Sequence, residues 1–182
     1  MNKKIAFGLI TGMISTGPIM AQDVDNNPTG PYLGLTLASI DFFYDQDDID
    51  FAPSASLGLL GLQAGYRFNE NIRVDLEASG HGSESDSGDI TVARITLNGY
   101  YDFRETDKTI VPYIGGGLGV AEIEGGKLDE LTWHAEVGTA ININSTFAIV
   151  PSYRYVGVEP VSGVTDDVLT IQSFRLGARV SF

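Results

Sequence analysis

The sequence predicts an all-β fold, an eight-stranded antiparallel up-and-down transmembrane β-barrel. Three observations carry that expectation. Apolar and polar residues alternate in eight separate segments, the period of a strand whose side chains change face at every residue. The two faces are inverted relative to a water-soluble sheet: one is aliphatic and aromatic, while the other holds arginine, glycine and serine. No run of about 18 apolar residues occurs, so no helix of this chain is suited to span a bilayer.

The first 21 residues are set apart. Lys3 and Lys4 form a basic start, residues 5–14 a short apolar stretch, Pro18 a helix breaker, and Ala21 a small residue at a cleavage position. Residues 1–21 are therefore expected to be a secretory signal peptide, leaving 22–182 as the barrel domain. The whole chain has a formal charge of −13; without the two lysines the remainder carries 9 − 24 = −15. Such acidity excludes nucleic acid as a natural partner, because phosphate contacts need a basic face. With no cysteine, disulfide scaffolds and thiolate metal sites are excluded as well.

The strands follow in order. In residues 31–40, Leu33, Leu35 and Leu37 share one face and Gly34, Thr36 and Ala38 the other. Residues 55–68 set Leu60, Leu62, Ala64, Tyr66 and Phe68 against Gly61, Gln63, Gly65 and Arg67, and Asn69-Glu70-Asn71 makes a tight turn. The alternation is strictest in 72–78, where Ile72, Val74, Leu76 and Ala78 interleave with Arg73, Asp75 and Glu77. A glycine- and serine-rich loop is expected over 79–89. The fourth strand, 90–103, sends Ala93, Ile95, Leu97, Tyr101 and Phe103 outward and Arg94, Thr96, Asn98, Tyr100 and Asp102 inward.

The fifth, 110–121, places Ile114, Leu118 and Val120 opposite Tyr113, Gly115, Gly117 and Gly119. Glycines inside a strand mark the close approach of something large, here expected to be arginines from other strands. In the sixth, 131–143, Trp133, Ala135, Val137 and Ile141 face out and His134, Glu136 and Asn142 in. The seventh, 146–156, turns Phe147, Ile149, Tyr153 and Tyr155 out and Ala148, Val150, Ser152 and Arg154 in, with Pro151 read as a bulge. The eighth, 168–182, opposes Phe174, Leu176, Ala178, Val180 and Phe182 to Ser173, Arg175, Gly177, Arg179 and Ser181, and should close the wall against 31–40. Connections are expected to alternate long and short, the rhythm of outer loops and periplasmic turns.

This register sorts the charges. Arg67, Arg73, Arg94, Arg154, Arg175 and Arg179 point inward, and Arg104, Lys108 and Lys127 fall in connections. A basic side chain at the lipid midplane costs about 2–4 kcal/mol, so none should face lipid. Asp75, Glu77, Asp102 and Glu136 also point inward and are available to pair with the arginines in an interior charge network. Outward aromatics form two belts: Tyr66, Phe68, Tyr101, Phe103, Phe147 and Phe182 at the turn end, and Trp133, Tyr153 and Tyr155, with residues of 42–44, at the loop end. The segments read as outer loops hold fifteen acids against one base, Lys127. They make a solvated acidic surface, with divalent-cation binding as the sharper alternative.

The predicted signal peptide, PYIGGGLGV at 112–120, the Tyr153-Arg154-Tyr155 triplet and the closing FRLGARVSF at 174–182 together resemble the small eight-stranded outer-membrane barrels of the porin-like or opacity-protein type. The likeness spans the whole of 22–182. It implies the outer membrane of a Gram-negative bacterium, with membrane lipid and lipopolysaccharide as surroundings. It also implies that Phe174, Leu176, Ala178, Val180 and Phe182 form the signal read by the barrel-assembly machinery. Members of the family are structural proteins, adhesins toward host or extracellular surface molecules, or minor pores, so the fold does not decide the role.

No cofactor, metal site or catalytic set is expected. The chain has two histidines, His81 in a GHGSES segment and His134 beside Glu136 on an inner face, where it reads as a satisfied interior residue. A structural or surface-interaction barrel is the first functional reading. The alternatives are a minor small-solute porin with slight cation preference, and a secreted soluble barrel with its apolar face turned inward around a ligand.

Overall fold

The computed structural model describes residues 29–44, 53–85, 88–104, 109–123, 130–159 and 169–182, with the side chains of 41–44, 53–59, 81–85, 88–92, 123 and 169 left aside. Its eight strands are β1 (Gly30–Tyr44), β2 (Pro53–Arg67), β3 (Ile72–Ser85), β4 (Gly88–Asp102), β5 (Ile110–Ile123), β6 (Glu130–Asn142), β7 (Phe147–Val158) and β8 (Leu169–Ser181). Each pairs antiparallel with its sequence neighbours, and β8 returns to β1 to close the barrel. Closure leaves no strand edge unpaired, the condition for a β-structure in hydrocarbon. A tilted strand needs about 9–11 residues to cross a bilayer. All eight exceed that length, so their surplus stands beyond the apolar band.

The outer wall is apolar. Leu76 pairs with Leu97, Leu97 with Leu118 and Leu118 with Trp133, a continuous belt across four strands. Leu118 is 64% exposed and Leu97 61%. Surface of this kind is stable against lipid tails and costly in water. The soluble alternative fails on this point, since its apolar face would have to point inward. The aromatics gather as edge and tilted pairs: Tyr66 with Phe68 and Tyr101 with Phe103 toward the turns, Trp133 with Tyr155 and Tyr153 with Phe174 toward the loops.

Two of the turn-side connections, 68–71 and 143–146, use one device. Asn69 Oδ1 accepts from the amides of Asn71 and Ile72 at 2.9 and 2.8 Å. Asn144 Oδ1 accepts from Thr146 and Phe147 at 2.9 and 2.7 Å. A short amide side chain thus replaces the backbone acceptors that a reversing chain lacks. At the seam, the Phe182 amide donates to Pro31 O at 3.0 Å, and Phe182 O lies over Gly30 (φ +144°), where a Cβ would not fit.

Four expectations need correction. The 79–89 segment is not a loop: β3 and β4 stay paired to Ser85↔Gly88, leaving residues 86–87 as the connection. The segment lacks apolar alternation, so its sequence does not mark the strand that the ladder shows. The connection rhythm therefore breaks in the middle, where the 86–87 link is short and the turn-side link from Asp102 to Ile110 is longer than the other turns. β1 carries a register shift between Thr36 and Ala38, which puts Ser39 on the buried inner face and Ile40 outside. Pro151 causes no bulge. Pairing with β6 lapses between Gly138↔Ser152 and Ile141↔Ile149, then resumes in the same register, while the β8 ladder runs unbroken through Pro151↔Leu176. A missing N–H removes a rung without adding a residue.

Candidate functional site: the barrel interior

The alternation that turns leucines outward turns charge inward. Arg67, Arg73, Asp75, Glu77, Arg94, Asp102, Glu136, Arg154, Arg175 and Arg179 are all buried. At the waist, Arg154 of β7 reaches across the lumen to β3, its Nη1 and Nη2 donating to the two oxygens of Glu77 at 2.7 Å each. Its Nε donates to Glu136 Oε2 at 2.6 Å. Arg175 Nη2 donates to Glu77 Oε1 at 3.0 Å and Nη1 to Glu136 Oε2 at 3.4 Å. Two guanidinium groups and two carboxylates, from β3, β6, β7 and β8, thus form one neutral cluster. Gln63 donates to Glu77 at 2.7 Å and Tyr113 to Glu136 at 2.6 Å, using the remaining acceptor capacity.

A second cluster lies toward the turns. Asp102 accepts from Arg67 Nη2 at 3.1 Å and from Arg73 Nε at 3.0 Å. Asp75 accepts from the Tyr32 hydroxyl at 2.6 Å and from Asn98 at 2.7 Å, and Arg73 Nη1 lies 3.7 Å from it. The Arg73 guanidinium sits 3.7 Å from the Tyr100 ring centroid and 4.7 Å from that of Tyr113, positions in which the rings' negative faces stabilise it. Arg94 is buried on the same inner wall, paired in register with Ser79 and Ala121.

The inner glycines make room, though not for arginines. A Cβ on Gly115 would collide with the Tyr100 ring, one on Gly65 with Tyr32, and one on Gly117 with Asn98 and His134. Tyrosines lean into the glycine gaps, and Arg73 stacks on them. His134 is buried as expected but is not a satisfied residue: neither ring nitrogen has a hydrogen-bond partner among the described residues.

Sequence reasoning missed two parts of this interior. Tyr32 has the parity of Gly34 and Thr36, which was the available signal for placing it inside. The second part is apolar. Ala121, Val156, Val158 and Ile171 form a cluster toward the loop end, and Val111, Ala140 and Ala148, with Val150 against them, another toward the turn end, of which the sequence pattern places only Ala148 and Val150 inside. The waist between them holds a cavity of ≈ 20 Å³, room for about one water.

The family model described as "Outer membrane protein beta-barrel domain" matches residues 9–182. The chain belongs to the outer membrane protein beta-barrel domain family. No curated protein matches it by sequence. Among solved structures it is similar to Neisserial surface protein A, at 20% identity and a TM-score of 0.68 over 84% of this chain and 97% of that one. It is also similar to OprG of Pseudomonas aeruginosa, at 16% identity and a TM-score of 0.53 over 84% and 96%. A third is Ail of Yersinia pestis in complex with the heparin analogue sucrose octasulfate, at 18% identity and a TM-score of 0.50 over 85% and 99%. These likenesses concern the fold. As a member of the outer membrane beta-barrel family the protein resides in the outer membrane of a Gram-negative bacterium, with lipid and lipopolysaccharide around its wall.

Proposed function

We propose that the protein is a structural, surface-interaction barrel, without enzymatic activity, whose wall carries its loops and whose lumen is closed to solutes. The observation that carries this reading is the filling of the lumen. Arg154 spans it to Glu77, and apolar clusters lie above and below the charged waist. An eight-stranded barrel is about wide enough for its own side chains, and a conducting path would have to displace both clusters. The porin-like alternative has no comparable observation in its favour.

The loop end meets the outside. Its segments hold fifteen acids and one base, most of them outside the described residues; Glu122, Glu130 and Glu159 are described and lie at that rim. The ligand named with Ail is a polysulfate. A like-charged ligand would be repelled here, so this barrel suits a partner with a basic face, on a host or another extracellular surface. The β3–β4 ladder, continuing to Ser85↔Gly88, provides a ribbon to present such contacts. The closing strand, with Phe174, Leu176, Ala178, Val180 and Phe182, would serve the assembly machinery.

The test is binding by whole cells. Cells displaying the barrel should bind a cationic surface, polylysine or an immobilised basic protein, more than cells lacking it. Replacing the acids at 45, 47, 48 and 50 by asparagine should remove most of the gain. Equal binding with and without the barrel would refute the interaction role.

A further inference from the structure

The turn-side cluster does not balance. Three guanidinium groups, of Arg67, Arg73 and Arg179, meet two carboxylates, Asp75 and Asp102. Arg67 and Arg73 take both carboxylates. Arg179 is 4% exposed and forms no ion pair or hydrogen bond with the described residues. An aromatic ring lies beside it: the Arg179 and Arg73 guanidinium carbons lie 5.7 and 5.8 Å from the centroid of Tyr32. Two like charges thus flank one ring, and Asp102, already held by Arg67 and Arg73, is the carboxylate that Arg179 has to share. Arg179 also lines the ≈ 20 Å³ cavity, together with Arg73, Arg175, Thr36, Ser152 and Glu136, whose carboxylate is itself held by Arg154 and Arg175.

We propose that this cavity binds one small inorganic anion, of chloride size, on the guanidinium of Arg179. Water alone would fill the space and leave the cluster's one excess positive charge unbalanced, which is a costly arrangement for ions removed from solvent. A halide supplies the missing charge in the same volume and accepts from the guanidinium N–H groups. The site straddles the closing seam. Arg179 belongs to β8 and pairs with Gly34, while Tyr32 belongs to β1 and pairs with Ser181. It is complete only when β1 and β8 meet, so the anion would favour the closed barrel over an opened one by mass action.

The test is a crystal of the refolded wild-type barrel grown in bromide, with data collected at the bromine absorption edge. An anomalous peak in hydrogen-bond contact with the Arg179 guanidinium is expected. An ordered guanidinium with no peak beside it would overturn the proposal, and this arm needs no variant. In solution, the midpoint of the heat-modifiable gel transition is compared in chloride and in gluconate, an anion too large for the cavity, at equal ionic strength. Wild type should melt about 2–4 °C higher in chloride, and Arg179→Met should abolish that difference. A wild type indifferent to the anion, or an Arg179→Met barrel that keeps the full difference, would contradict the site.

Discussion

Glu77 accepts hydrogen bonds from three side chains, Arg154, Arg175 and Gln63, and is 0% exposed. Its replacement leaves two buried guanidinium groups to share Glu136. Glu77→Leu should therefore destabilise the barrel by about 3–5 kcal/mol, read from urea unfolding in lipid vesicles. Because much of that cost is the stranded cation, the double variant Glu77→Leu/Arg154→Leu should lose less than the sum of the two single variants. Strict additivity would show that the contact across the lumen carries no coupling. At Gly115 the limit is steric. Gly115→Ala would drive its Cβ into Tyr100 and should cost about 1–3 kcal/mol, part of it recovered when Tyr100 is shortened to leucine. The parity of these residues was legible in the sequence, since each lies one step from an outward apolar or aromatic residue. Their partners were not. Period-two alternation says which side of the wall a residue takes, but not which of the six inner arginines meets which acid.

At the scale of the strand, depth decides the cost of a charge. Leu97, midway along β4 and 61% exposed to lipid, should not tolerate arginine. Leu97→Arg is expected to cost about 2–4 kcal/mol, whereas Tyr101→Arg, nearer the turn-end interface, should cost about 0–1 kcal/mol. Equal losses in vesicle unfolding would contradict the proposed membrane placement. The last residue of β8's extension gives a different kind of prediction. Phe182 is 72% exposed, and its amide supplies one terminal rung to β1. Deleting it should lower the amount of protein in the outer membrane severalfold while shifting the melting of the barrels that do form by only a few degrees. Normal membrane levels of the deletion would argue against an assembly signal there. Strand existence was readable throughout, but strand length was not. Residues 79–85 and 88–89 are glycine, serine, histidine and acid without apolar alternation, so a segment that reads as a loop continues the β3–β4 ladder. The shift near Leu37 escaped for a related reason, since two neighbouring small or apolar residues, Leu37 and Ala38, fit either face.

For the molecule as a whole, inversion explains the composition: leucines outside, a neutral four-member charge cluster at the waist, and small apolar clusters above and below it. The apolar clusters were the least legible part of the site. Val156, Val158 and Ile171 sit inside a lumen that the sequence pattern marks as polar, because near the loop end an inner side chain is shielded by its neighbours across the barrel and not by lipid. They also bear most heavily on the proposed function, in which these clusters and the charged waist keep hydrated solutes out. The central claim, a closed surface barrel and not a pore, is tested most directly by planar-bilayer recording of the purified, folded protein. A closed barrel should give no stable conductance above the bare membrane, and steps only when Val156 and Val158 are both cut to alanine together with Arg154→Ala. Stable, reproducible channels from the unaltered protein would contradict it.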